Sequence, residues 1–492
     1  MSGGNLAAAA MRYGKLWGRG HETFSKASRR ILSVKGKGDN ATKYLQGLVT
    51  CDLRSEPQAP IVSHAVTDSK PANSGEVEGP PPVDVKFTKK MRSTCFLDQK
   101  GRIVTDALLW KRPFVDDEVP NDDEQEREYL LDVPGESADA LLEHLTKYKL
   151  RRSKVSISDV SDEMSVHAVY GTLNAEGTPP GYLAAIDPRH PSLGMRVLST
   201  NTTPSGESMD THNERQQVFS KMMHNFFPES NGSYEVIRKL AGVAEGEEIK
   251  GKTALECNQD FLNAVSFTKG CYLGQELTAR SQHIGTIRKR VMPIMIVDTN
   301  MEIPRPWVIA HKVQSSGLQK LTQDDNEFST MGFVEVEGEV PPLLPQMSAP
   351  GAGGISAMMS GNITLPTLPS EEGETEVAQV SSDEIEKLIQ RQKETSEIRD
   401  ELDRVAKIGA KIIDKKNGKT IGTVVSTPAP GTLILLAQMR LDEVGLLDND
   451  DTKWSMTNKI TIGDDNREWR YLPYMPIWWP RLDSKTGKPI SA

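Results

Sequence analysis

Two long stretches of this 492-residue chain cannot build a core, and they set the limits within which the rest must fold. Pro57 to Val85 is rich in Pro, Gly, Ser and acids and poor in apolar residues. Such a segment buries too little surface to offset its ordering entropy, so residues 57–85 read as a disordered insertion. Pro341 to Val380 has the same character, and Asp383 to Ala406 follows as a densely charged segment that predicts a solvated helix. Residues 341–406 thus read as a second, low-complexity and helical insertion. Both are expected to tolerate shortening, because closure entropy grows slowly with loop length.

Between these stretches the apolar residues recur with regular periods. Arg30 to Val34 predicts a strand, and Asp39 or Asn40 can cap a short helix running through Leu45. Ser93 to Leu97 and Ile103 to Trp110 alternate around a turn at Gln99-Lys100-Gly101, the pattern of a hairpin. An acidic loop, Asp116 to Glu128, precedes a strand at Tyr129 to Val133. From Ser137 a helix places Ala138, Leu141, Leu142, Leu145 and Tyr148 on one face. Val155 to Ile157 and Val166 to Tyr170 predict further strands, and Met222 to Leu240 contains another helix. After Arg290 the pattern changes to short strands punctuated by Gly and Pro: Val291–Val297, Lys411–Asp414, Gly422–Ser426 and Thr432–Leu436. These predict a small β-barrel. The whole is an α+β chain: a leader or flexible tail at 1–29, a first α+β portion at 30–150, a second at 151–290, and a C-terminal β-barrel at 291–482.

A net charge of −9 argues against nucleic acid as the main partner, because phosphate recognition needs a dense basic face. No apolar run approaches the roughly 18–20 residues of a transmembrane segment. Within Met1 to Arg30, six Lys or Arg stand against the single acid Glu22, a balance that suits a mitochondrial transit peptide or a flexible basic tail. The four cysteines, Cys51, Cys95, Cys257 and Cys271, lack metal-knuckle spacing and are too few for a disulfide scaffold. Four thiols in a reducing compartment are expected, with Cys51 and Cys95 acting as small buried hydrophobes.

Cys271 stands apart. In VSFTKGCYLGQELTAR it lies between Gly270 and Gly274, two residues after Lys269, with Arg280, His283, Arg288, Lys289 and Arg290 beyond. Positive charge and a helix N-terminus lower a thiol pKa, and glycines permit a tight turn and close approach. These features favour a partly exposed, activated thiolate; a plain packing turn is the alternative. Gln275 and Glu276 suit the start of a helix, hydrogen-bonding the backbone.

KGCYLGQE, Lys269 to Glu276, resembles the signature of the YgfZ family, folate-binding relatives of the glycine-cleavage T-protein, an aminomethyltransferase. YLQGLVTCDL, LDQKGRIVTDALLW, DPRHPSLGMRVL and YEVIRKLAGVAEG resemble other segments of that family, and MPIWWPR resembles the tail of its mitochondrial branch. The resemblance implies a GcvT/YgfZ-like three-part ring, two ferredoxin-like α+β portions plus a C-terminal β-barrel. It also implies a tetrahydrofolate site. Glu256 would take the pterin N–H donors, with Tyr234, Arg238, Arg280 and Asp106 around the ligand; a helix-surface pair (Tyr234, Arg238), a solvent-facing acid (Glu256) and a structural carboxylate (Asp106) are the plainer readings. T-protein relatives carry two adjacent hairpin aspartates, whereas here Thr105 precedes Asp106, which weakens the case for proton transfer at folate.

The function implied is an assembly factor that matures [4Fe–4S] clusters in the mitochondrial matrix with A-type (Isa) iron–sulfur scaffold proteins. Cys271 would be the reactive thiol or a transient, shared metal ligand. Lys269, Gly270, Tyr272, Gly274, Gln275 and Glu276 would shape its loop, and Lys269, Arg280 and His283 would lower its pKa. The chain alone is expected to be a monomer. The alternatives are a tetrahydrofolate-dependent one-carbon transferase and a folate-sensing adaptor without chemistry.

Overall fold

A computed structural model describes residues 20–55, 91–112, 126–170, 182–189, 193–200, 233–300, 393, 396–430, 432–444, 458–473, 476, 479–480, 482–483 and 485–489. The insertion at 57–85 and most of 341–406 lie outside the described residues, as do residues 1–19, most of the acidic loop and the first part of the segment 222–240.

The chain opens with β1 (Gly20–Thr23), β2 (Arg29–Lys37), α1 (Asn40–Gln46), β3 (Met91–Leu97), β4 (Ile103–Arg112), β5 (Glu126–Pro134), α2 (Ala138–Lys147) and β6 (Val155–Asp159). Five of these strands form an antiparallel sheet in the order β3-β4-β5-β2-β6. The alternation read from the sequence fixes its two faces. On one face Leu32, Val34, Leu109, Leu131 and Val133 pack against Ala41 and Leu45 of α1 and Ala138, Leu141 and Leu145 of α2. On the other, Ile31, Leu108, Trp110 and Leu130 meet a second sheet.

That second sheet adds β7 (Met164–Tyr170), β8 (Tyr182–Ile186) and β9 (Met195–Thr200), in the order β1-β7-β9-β8. Met164, Val166, Ala185 and Leu198 supply its half of the shared core. Two expected boundaries shift here because strand pairing, not sequence order, decides membership. β6 was assigned to the portion starting at 151, but Leu32 pairs with Asp159 and Gly36 with Val155, so it closes the first sheet. The stretch 1–29 was read as leader or tail, yet residues 20–23 are a strand paired with β7, from Gly20 opposite Tyr170 to Thr23 opposite His167.

After α3 (Ser233–Leu240) and α4 (Gln275–His283) come β10 (Lys289–Asp298), β11 (Lys411–Asp414), β12 (Thr420–Val424), β13 (Ile434–Arg440), β14 (Lys459–Ile462) and β15 (Trp469–Pro473). They close into a barrel in the order β10-β13-β12-β11-β14-β15, with β10 bonded to β13 on one side and to β15 on the other. The α+β chain with a C-terminal barrel is therefore as expected. The charged segment ending at Ala406 is not wholly solvated. Residues 396–405 are helical, and Leu402 and Ala406 are completely buried in the barrel core with Ile412, Ile462 and Trp469. Shortening that reached Leu402 would open a cavity, so only residues well before it can be removed without loss. No helix among the described residues is long and apolar enough to cross a membrane.

Candidate functional site

The segment carrying Cys271 lies where the first sheet, α1 and the barrel meet. Tyr272 is buried in a cluster with Cys95, Leu97, Ile103, Cys257, Val291 and Leu436, while Leu273 packs against the core under α1 and α2. Between Tyr272 and Phe267 the chain turns outward, leaving Gly270 and Cys271 exposed. The other three cysteines are buried, and burial pushes each of their thiols above its ordinary value. Cys95 Sγ also donates a hydrogen bond to Gln259 Oε1 at 3.3 Å. Among four cysteines, Cys271 is the thiol a reagent or metal can reach.

The two glycines differ. Gly274 has φ +78°, and a Cβ there would stand 2.5 Å from the Asp98 carbonyl oxygen and 3.0 Å from the Cα of Gly101. Gly101, at φ +76°, turns the β3–β4 hairpin, and its own Cβ would lie 2.7 Å from the Gly274 carbonyl oxygen. The hairpin turn and the start of α4 therefore meet backbone to backbone. Gly270 has nothing within 4 Å of the Cβ position.

The charges expected around the thiol are arranged otherwise. Lys269 is buried, and its ammonium donates to the carbonyls of Gln46 (2.8 Å), Val49 (2.7 Å) and Cys51 (2.9 Å). It also sits 4.8 Å from the centroid of the Tyr272 ring. Burial draws this group down to about 8, against the opposing pull of Cys51 and Asp52. Arg290 is completely buried, not part of a surface cluster: it forms a two-pronged ion pair with Asp260 at 3.0 Å and stacks 3.9 Å from the centroid of Phe261. Arg280, His283, Arg288 and Lys289 are exposed. α4 begins at Gln275 with Gly274 as N-cap, so Gln275 and Glu276 stand in its first turn, and the Gln275 amide donates to the Tyr272 carbonyl at 3.2 Å.

The residues assigned to folate lie elsewhere. Tyr234 and Arg238, both on α3, belong to a buried network of ion pairs that joins both sheets to α3. Tyr234, 3% exposed, donates from its hydroxyl to Glu245 Oε1 at 2.8 Å and accepts from Arg189 (2.6 Å) and Arg196 (2.7 Å). Arg238 grips Glu248 with two bonds of 2.7 and 3.0 Å. Arg29 donates to Asp132 at 2.7 Å and to Glu245 at 3.2 Å, and Arg189 bonds Asp187 at 2.9 and 2.8 Å and pairs with Glu245. Burial alone would raise the Glu245 carboxyl, but Arg189, Arg29, Arg238 and Arg196 outweigh it and hold the group well below its usual value. Glu256 is half-buried and accepts from Thr253 at 2.9 Å and Gln438 at 3.2 Å. The helix-surface reading of Tyr234 and Arg238 is thus corrected: both side chains lie largely buried in the network. Their polar atoms are already taken up inside the protein.

Asp106 reaches the edge of this network. It is buried, accepts from the Gly246 amide at 2.8 Å, and lies 4.0 Å from Arg189 Nη1. Burial, reinforced by Glu245, raises its carboxyl from 3.8 to about 6. The fold therefore prefers the protonated form. Stability is lost as pH rises from about 4 through 6, and holding the ionised group costs roughly 3 kcal/mol at neutral pH. Asp106→Asn, which keeps an oxygen for the Gly246 amide, is expected to raise the melting temperature by a few degrees at pH 7.5 and hardly at all at pH 4. Thermal unfolding at the two pH values checks this.

No family model matches the chain. Three curated relatives carry the same name, "Iron-sulfur cluster assembly factor IBA57 homolog, mitochondrial". That of Aspergillus oryzae is 34% identical over 291 residues, covering 55% of this chain and 56% of the relative. Those of Neosartorya fischeri and Pyricularia oryzae are 34% and 30% identical, each over 55% of this chain and 56% of the relative. The chain spans about half the length of these relatives. Among solved structures, a glycine cleavage system aminomethyltransferase T from Bartonella henselae superposes with a TM-score of 0.46 at 9% identity, over 97% of this chain and 91% of that one. By sequence, across the half of their length that it spans, the chain is a relative of these mitochondrial iron–sulfur cluster assembly factors.

Proposed function

We propose that this chain is an assembly factor, not a turnover enzyme, and that it acts on iron–sulfur clusters in the mitochondrial matrix. The observation that carries the reading is the exposure of Cys271 while Cys51, Cys95 and Cys257 are buried. The shared name of the curated relatives supports the pathway and the compartment. An iron–sulfur cluster normally draws on about four thiolate ligands. One reachable thiol meets one of these positions, so the others have to come from a second macromolecule or from small thiols. An A-type scaffold protein that hands over a cluster fits this demand. Cys271 then serves as a transient ligand to the cargo, and α4, which follows its loop, carries the exposed Arg280 and His283.

The same geometry does not support tetrahydrofolate as the resemblance placed it. The Tyr234 hydroxyl is engaged by Glu245, Arg189 and Arg196, Arg238 grips Glu248, and Glu256 Oε2 accepts from Thr253 and Gln438.

The test mixes the protein with an iron-loaded A-type partner under anaerobic, reducing conditions and follows visible absorption. Cys271→Ser is expected to reduce the cluster signal to that of the partner alone and to weaken the complex. An unchanged yield and affinity would remove Cys271 from the ligand set.

A further inference from the structure

We infer that Lys269 is a positioning residue. Its ammonium ties the Cys271 loop to the turn after α1, so that segments more than 200 residues apart form one unit with the thiol at its tip. α1 ends at Gln46, and the chain then turns through residues 47–51 before β3. A helix end leaves carbonyls without intrahelical partners, and a cation is the group they prefer. Lys269 supplies that cation from the far side of the sequence. Its three hydrogens match three carbonyls, those of Gln46, Val49 and Cys51.

The backbone repeats the same pairing on both sides of the lysine. The Ser266 amide donates to the Thr50 carbonyl at 3.0 Å, and the Leu273 amide donates to the Gly47 carbonyl at 2.9 Å. The Thr50 hydroxyl returns a bond to the Ala264 carbonyl. The loop is thus pinned before and after Cys271, with its single buried charge between the pins. Gly270 and Cys271 make none of these bonds and project outward. The lysine that chemistry would first assign to activating the thiol instead faces inward and sets where the thiol stands. An exposed ligand on a loose loop would present many geometries to a partner; this one presents few.

The clamp serves cluster handling only if Cys271 is the ligand proposed above, whereas its effect on the loop is measurable either way. Lys269→Met retains the stem and removes the donors. Amide exchange, followed by mass spectrometry, is expected to show at least a tenfold loss of protection in peptides covering residues 46–51 and 264–274. Protection of the barrel strands should not change. Iodoacetamide should still label Cys271, while the absorption and circular dichroism of the cluster shared with an A-type partner should weaken or change. Lys269→Gln, with two N–H donors, should fall between wild type and Lys269→Met, and it decides the matter if methionine prevents folding. Unaltered protection would overturn the clamp. Lost protection with a wild-type cluster spectrum would overturn the positioning role and leave a merely structural lysine. If Cys271→Ser itself leaves the cluster signal intact, the proposed function falls, and the exchange result still reports on Lys269.

Discussion

Glu245→Gln is expected to destabilise the protein by about 3–5 kcal/mol, the cost of leaving buried charge without its counterion. Glu245 accepts from Arg29 at 3.2 Å and from Tyr234 at 2.8 Å, pairs with Arg189, and lies 3.8 Å from Arg238 Nε. A glutamine keeps the shape and loses the charge, so the arginines of the network face one another across a site that water does not screen. The sign with pH follows from the depressed carboxyl of Glu245. Its contribution is present above the ordinary glutamate value near 4.5 and is lost as pH falls through and below it. Wild type should therefore lose stability on acidification from this residue, and Glu245→Gln should lack that part of the loss. Urea unfolding at pH 4 and pH 7 measures both. Asp106, at the edge of the same network, has the opposite sign: its neutral replacement stabilises. One carboxylate is surrounded by guanidinium groups and the other is desolvated beside a like charge, and that difference decides the direction.

The second large effect separates two glycines four residues apart. Gly274→Ala is expected to cost about 2–5 kcal/mol, combining the left-handed backbone penalty with overlap against fixed main-chain atoms. At 2.5 Å from the Asp98 carbonyl oxygen the new methyl cannot be accommodated by a side-chain rotation. The hairpin turn and α4 must move apart, and Gly101 with them. Gly270→Ala is expected to change stability by less than about 0.5 kcal/mol, because its Cβ enters open space. Parallel melting curves of the two variants test the contrast. Equal destabilisation would mean that the loop around Cys271 is packed on its outer side.

Much of the architecture was legible because burial imposed a period. The β3–β4 hairpin and the apolar face of α2 alternate with the spacing of their backbones, and Trp110, Leu141 and Leu145 are buried as that spacing requires. β1 was not legible: GHET has no apolar alternation, and it is a strand only because β7 offers it an edge. β14 and β15 are not among the strands expected from the sequence, although they are no shorter than β11 and β12, which are. The exposure of Cys271 could be anticipated from its setting, but the direction of Lys269 could not, since the carbonyls that attract it come from residues 46–51. The charged network was hidden for a similar reason. Arg29 and Arg30 look alike in sequence, yet strand alternation turns the first inward to Asp132 and Glu245 and the second outward to Asp139 and Asp159. The one cue was Asp187-Pro188-Arg189, whose aspartate and arginine bond each other across a single proline.

The short strand at Gly20–Thr23 limits how this polypeptide can be trimmed at its amino end. His21 is buried, Glu22 accepts the Tyr234 amide at 3.1 Å, and Phe24 stands edge-on to the Tyr234 ring at 5.2 Å, with the Arg196 guanidinium 5.0 Å from its own ring. Proteolytic maturation at residue 29 would strip a sheet margin and unroof the arginines beneath it. Any trimming of this end that is to keep the sheet margin therefore has to retain Gly20.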